Sequence, residues 1–277
     1  MSAPRPLGFV ATVVESARQT ALRLRHHRVW TLVVLGAAVL YGIAWLVGYQ
    51  VGRVTEADGV NAYCNLAWWL QATVVTPWLT LYLGVQALHG GLEDRTFQYL
   101  FLRPVSRVAL LLGNWLAVGA ISAVVGAVGS CVLFAGMADN RDLWPDGPEW
   151  RYAGDFAAAC AVAAFAYAAA AMAFSAYFRR PLVWAAFFVV GLQQVVANLP
   201  ISAGLRSATI TDPLRRFVLD RIEPNQRLAR ELWPAELNFD PETIGAPLQD
   251  LAWFVLVALA LGALVYARTE YDARARD

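Results

Sequence analysis

Six tracts of the chain carry no Asp, Glu, Arg or Lys: Val29 to Tyr49, Leu66 to Leu88, Val108 to Met137, Phe156 to Phe178, Leu182 to Leu199 and Leu251 to Ala267. Each is near or above the roughly 17 to 25 residues a helix needs to cross the hydrocarbon core of a bilayer. Backbone polar groups there have no water to bond, so a spanning segment must satisfy them within itself. The expected fold is therefore all-α, a polytopic membrane protein with six transmembrane helices. Composition agrees, because 58% hydrophobic and 16% charged residues over 277 positions is too apolar for a soluble domain of this size. A net charge of +1 gives no basic surface for reading nucleic acid.

The first 28 residues are expected to be retained, since the apolar tract after them is too long for a signal peptide and no small-residue cleavage site follows. Val10, Val13, Val14, Ala17, Ala21 and Leu24 fall on one helical face and Thr12, Glu15, Ser16, Gln19 and Arg23 on the other. That pattern predicts an amphipathic helix lying in the headgroup layer, closed by Arg23, Arg25, His26, His27 and Arg28. The domain division expected is 1–28 for this helix and 29–277 for the membrane part. Arginine counting sets orientation: with the N-terminus cytoplasmic, the inner segments hold Arg95, Arg103, Arg107, Arg179, Arg180 and Arg268 with the N-terminal cluster, and the two short outer loops hold only Arg53, Arg141 and Arg151. Both termini are then cytoplasmic, in a multi-pass plasma (inner) membrane protein. Trp68, Trp69, Trp144, Trp150 and Trp253 are expected at the outer boundary, as interfacial aromatics.

The loop at 200–250 shows a helix start at Asp212-Pro213, followed by the apolar stripe Leu214, Phe217, Val218 and Ile222. A second short helix is expected after Pro224-Asn225. The pair is read as external helices before the last span. Inside the spans, Gln71, Thr73, Thr76 and Thr80 form a polar patch around Pro77, with Asn114, Gln193, Gln194 and Asn198 on neighbouring tracts. Pro77 frees a carbonyl near Thr73 and Thr76, so these residues are either candidate pathway-lining groups or interhelical hydrogen-bonding groups. With no Asp, Glu, Arg or Lys in any tract, an intramembrane enzyme is not expected, and a secondary transporter or channel lacks an obvious carrier for a coupling ion. Cys64, Cys131 and Cys160 are isolated and predict neither a metal site nor a disulfide.

Between the second and third tracts lies Gly90 to Arg107, a charged and amphipathic segment. Glu93 and Asp94 suit the first turn of a helix, Phe97, Leu100 and Phe101 give it apolar contacts, and Pro104 ends it. The block Glu93-Asp94-Arg95-Thr96, then Tyr99-Leu100, then Arg103-Pro104-Val105-Ser106-Arg107 resembles permease subunits of the type-2 ABC transporters. In that family the corresponding block is the coupling helix, here 91–104, that docks on a cytoplasmic ATPase. The amphipathic N-terminal helix, six spans and external helices are similar to the family's elbow helix and layout. Two departures stand out. Arg95 occupies a position where many members have glycine, and the inner turn Arg179-Arg180-Pro181 is too short to form a second docking helix.

The resemblance implies a membrane-spanning permease subunit of an ATP-driven transporter, with export favoured. It assigns ATPase coupling to Glu93, Asp94, Arg95, Thr96, Phe97, Tyr99, Leu100, Phe101, Arg103, Pro104, Ser106 and Arg107. The sequence contains no lysine and so no phosphate-binding Gly-x-x-x-x-Gly-Lys loop. The chain is accordingly expected not to be an enzyme and to bind no cofactor. ATP and Mg would sit on a separate ABC ATPase subunit, and a second permease copy, homodimeric or related, would complete the pathway. The alternative is a secondary transporter or channel subunit working without an ATPase.

Overall fold

A computed structural model describes residues 8–26, 29–54, 59–93, 106–140, 143–144, 147–196, 206, 208–222 and 246–268. Among the described residues the fold is all-α and contains no strand. The elements are α1 (Phe9–His26), α2 (Val29–Val54), α3 (Gly59–Leu66), a π-helical segment (Ala67–Val75) and α4 (Thr76–Glu93). They continue with α5 (Arg107–Ala138), α6 (Arg151–Tyr177), α7 (Pro181–Phe187), a second π-helical segment (Phe188–Val196), α8 (Thr211–Ile222) and α9 (Pro247–Arg268).

Among the described residues four helices are long and apolar enough to cross a bilayer: Val33–Val51 within α2, then α5, α6 and α9. The second and fifth apolar tracts take a different form. The second is a run from Gly59 to Glu93 whose middle is π-helical, and the fifth is the shorter Pro181–Val196, half α and half π. Both contain glutamines whose side chains cross to other helices, and widened turns of this kind recur at functional positions inside membrane helices.

Helix α6 is the hub. Two-thirds (67%) of its apolar window is buried against 17% for the α2 window and 22% for the α9 window, so most of the α2 and α9 surface lies on the outside of the chain. Its alanine-rich stretches, Ala157 to Ala159 and Ala168 to Ala171, let neighbouring backbones come close, the usual solution where apolar burial alone does not drive helices together. The side chain of Ala171 occupies the position a Cβ on Gly84 of α4 would need, and Phe165 does the same at Gly119 of α5. The Trp115 indole of α5 donates to the Phe165 carbonyl at 3.0 Å, tying the two longest helices.

Helix α1 packs with a face the hydrophobic pattern did not single out. Thr12, Ser16, Thr20 and Leu24, one helical turn apart, are buried, while Val10 and Val14 are exposed. The buried stripe faces the start of α5. Ser16 Oγ donates to the Leu110 carbonyl at 3.2 Å, Thr20 Oγ1 donates to Asn114 Oδ1, and Gly113 leaves room for the Val13 carbonyl and Ser16. The small hydroxyl side thus holds the protein, and Val10 and Val14 face outward. The tryptophans also divide: Trp69, Trp150 and Trp253 are exposed, whereas Trp68 and Trp144 belong to the core. Those two tryptophans therefore pack inward among the helices.

Candidate functional site

Three regions bear on function: the junction around Glu93 to Arg107, the polar patch of the α3–α4 run, and the seat of α8. At the first, Glu93 is the last residue of α4, and Ser106 caps α5 with extended backbone (φ −63°, ψ 119°), its hydroxyl accepting from the Ala109 N–H at 3.4 Å. Arg107 opens α5 and is half-buried. Asp94, Arg95, Thr96, Phe97, Tyr99, Leu100, Phe101, Arg103 and Pro104 lie outside the described residues. The helix that receives this segment is braced at once. Leu110 and Asn114, within the first two turns of α5, are the groups to which Ser16 and Thr20 of α1 bond.

The polar patch is buried. Gln71, Thr73, Thr76 and Thr80 are each at most 4% exposed. The π turn shows in the Thr76 N–H donating to the Gln71 carbonyl, five residues back. Pro77 has no N–H to give Thr73, and the carbonyl it frees accepts instead from Gln194 Nε2 of the second π-helical segment at 3.2 Å. Thr73 Oγ1 donates to the Trp69 carbonyl at 2.6 Å, and Gln71 Nε2 donates to the Gly126 carbonyl of α5 at 3.1 Å. Asn114 is committed to α1. Gln71, Gln194 and Asn114 therefore bridge helices, while the Thr73 hydroxyl bonds within its own run. Asn198 lies outside the described residues.

Gln193 and α8 form a site whose importance the sequence did not reveal. Gln193 is fully buried, and its Oε1 accepts from the Ile210 N–H at 2.8 Å, the Thr211 N–H at 3.2 Å and Thr211 Oγ1 at 3.2 Å. It thereby satisfies donors at the start of α8 that the helix itself cannot. Thr209 Oγ1 accepts from the Asp212 N–H at 3.2 Å, so the capping role expected of Asp212 falls to Thr209. Asp212 instead pairs with Arg216 at 3.2 Å, and Arg216 reaches Asp250 at the start of α9 at 2.8 Å. Arg215, 1% exposed, lies over the Trp68 ring with its guanidinium carbon 5.5 Å from the centroid.

Burial pushes the Asp212 carboxyl above its usual range, against the pull of Arg216, Arg206 and Arg215. Burial likewise lowers the Arg215 guanidinium to about 10, opposed by Asp212. Leu214, Phe217 and Val218 join the main core, and Arg221 pairs with Asp155 of α6 at 3.7 Å. Helix α8 is thus a docked plug, with an ion pair to the last span. The second short helix expected after Pro224-Asn225 lies outside the described residues. Among the described residues no group of His, Cys, Asp or Glu is arranged to hold a metal.

The sequence matches the family described as ABC-2 family transporter protein over residues 17–270, from the middle of α1 to just past the end of α9. The chain belongs to that family. No curated protein matches the sequence. Membership makes it a membrane component of ABC transport and not itself a catalyst, consistent with its apolar helices. It also implies partnership with a cytoplasmic ABC ATPase.

Proposed function

We propose that this ABC-2 chain is the permease subunit of an ATP-driven exporter, moving its substrate by alternating access when a separate cytoplasmic ATPase closes on bound ATP and Mg. In this reading the second and fifth apolar tracts, π-helical in part, complete six spans; α1 is the elbow helix; both termini are cytoplasmic in the plasma membrane; and α8 lies on the external side. Two copies, identical or related, enclose the pathway. The domain division 1–28 and 29–277 follows from the same layout.

The observation that carries the reading is positional. The block from Glu93 to Arg107, with its acidic start and Arg-Pro-Val-Ser-Arg ending, joins α4 to α5 inside a family match that spans nearly the whole chain. Phe97, Tyr99, Leu100 and Phe101 would seat in the ATPase groove. Glu93, Asp94, Arg95, Arg103 and Arg107 would fix docking by charge, with Thr96, Pro104 and Ser106 shaping the two ends of the helix. The bonds from Ser16 and Thr20 to the first turns of α5 give a push at this segment a rigid route into the membrane. Purification of the full chain with its ATPase tests the proposal. ATP hydrolysis that falls on Leu100→Asp, with the chain still folded, supports it. Hydrolysis indifferent to that change favours a transporter or channel working without an ATPase.

A further inference from the structure

The turn between α6 and α7 holds two cations at the surface. Phe178 leaves α6 with extended backbone (φ −103°, ψ 141°), and Pro181, with its fixed φ and no N–H, opens α7. Arg179 and Arg180 lie between these two stops, and both are exposed. Among the described residues neither meets a carboxylate within ion-pair distance. Rings hold the turn in place. Phe178 stacks on Trp184 with centroids 4.6 Å apart and planes 19° from parallel, and Tyr177 meets Phe178 edge-on at 4.9 Å. The first turn of α7 is thereby tied to the end of α6.

Beside the arginines runs an apolar strip. Val183, Phe187 and Val190, spaced four and three residues apart on one helical face, are each more than half exposed, while Ala185 and Val189 on the other face are buried. From Arg180 to Val190 is ten residues, about 15 Å of helix, which is half the roughly 30 Å hydrocarbon core and so the depth of one leaflet. Two unpaired positive charges thus stand at the head of a strip as long as an acyl chain. A small water-soluble anion would answer the arginines and leave the strip unmatched. A zwitterionic lipid would cover the strip and bring the arginines no net charge. A phospholipid with a net negative headgroup matches both.

From the paired arginines and the strip below them we infer that this turn is a docking site for an anionic phospholipid. Its phosphate lies against Arg179 and Arg180, whose planar guanidinium groups suit phosphate oxygens, and an acyl chain follows Val183, Phe187 and Val190. A lipid held there fixes the depth of the fifth tract, whose α-helical part is only seven residues long. The inference rests on that tract lying in the bilayer, as in the layout proposed above, and not on ATPase coupling.

The test is native mass spectrometry of the full chain, released from detergent and titrated with dioleoyl phosphatidylglycerol or dioleoyl phosphatidylcholine. An arginine beside an anionic headgroup is worth about fivefold in affinity, so two give an expected preference of about 25-fold for the first phosphatidylglycerol. Arg179→Gln combined with Arg180→Gln should remove that preference and leave phosphatidylcholine binding unchanged. Arg180→Gln alone should lower it about fivefold, and serves if the double change does not insert. Val183→Ser with Phe187→Ser should weaken both lipids. Arg268→Gln, at an exposed arginine ending α9, should change neither. Equal binding of the two lipids to the unaltered chain would overturn the inference. An equal loss on Arg268→Gln would overturn it too, because diffuse surface charge would then be the cause. So would full displacement by glycerol 3-phosphate, which has no acyl chain. A dimer split by the two serine changes with lipid binding intact would assign the strip to a second copy and likewise overturn it. None of these outcomes bears on recovery of an ATPase, so this site and the proposed function stand or fall separately.

Discussion

Replacing Gln193 with leucine isolates what holds α8 in place. The side chain keeps its approximate volume but loses the oxygen that accepts from Ile210 N–H, Thr211 N–H and Thr211 Oγ1. Leaving two buried backbone donors unmatched costs about 1–3 kcal/mol each, so roughly 2–6 kcal/mol in all. Against that stands the burial of Ile210, Leu214, Phe217 and Val218, each nearly inaccessible and worth about 1.5–3 kcal/mol. Burial therefore wins, and α8 should remain docked on average while opening more often. Hydrogen exchange read by mass spectrometry should show residues 210–218 exchanging at least ~30-fold faster, the equivalent of about 2 kcal/mol, with α6 unchanged. Gln193→Glu, which retains an acceptor at a helix N-terminus, should lose much less protection. Unaltered exchange in Gln193→Leu, or loss of protection spread equally over α6, would refute the claim that this one oxygen secures the plug.

Gly113→Leu should displace α1, because even a Cβ there would lie 2.6 Å from Ser16 Cβ and from the Val13 carbonyl; overpacking of this kind costs about 1–3 kcal/mol, read as exchange of residues 9–24 quickening while α6 holds. For Asp212, burial raises the folded-state value above that of the unfolded chain, so its contribution to stability is full below the unfolded value and is lost as pH rises through the raised one. The melting temperature of the unaltered protein relative to Asp212→Asn should accordingly fall from pH 4 upward, and a difference that grows with pH would contradict the assignment. In a cysteine-free background, a membrane-impermeant maleimide should label Gly147→Cys in intact cells and Thr96→Cys only after permeabilisation.

The order of apolar helices was legible in the sequence because hydrocarbon imposes both length and composition on whatever crosses it. The packing faces were less so. Hydropathy does not distinguish a side chain facing lipid from one facing protein, and in α1 the protein contact is made by Thr12, Ser16 and Thr20, with Val10 and Val14 outside. For the same reason the inward packing of Trp68, beneath Arg215, was not legible. The start of α8, expected with Asp212 as cap and Pro213 as first helical residue, was readable to within two residues. The Gln193 that satisfies its first turn was not, since the partner is seventeen residues away and in another helix. Nor does the composition of Ala67 to Val75 announce a π turn; only Pro77 hints that the ladder needs help, which Gln194 supplies.

The central claim is that the block between α4 and α5 transmits work from an ATPase. It is tested most directly by purifying the full chain from native membranes in mild detergent, unaltered and as Leu100→Asp, and identifying co-purifying subunits by their nucleotide-binding motifs and ATP hydrolysis. The account predicts an ABC ATPase with the unaltered chain and its loss with Leu100→Asp while α5 and α6 keep their exchange protection. Recovery of no ATPase, or equal recovery with both chains, would contradict it.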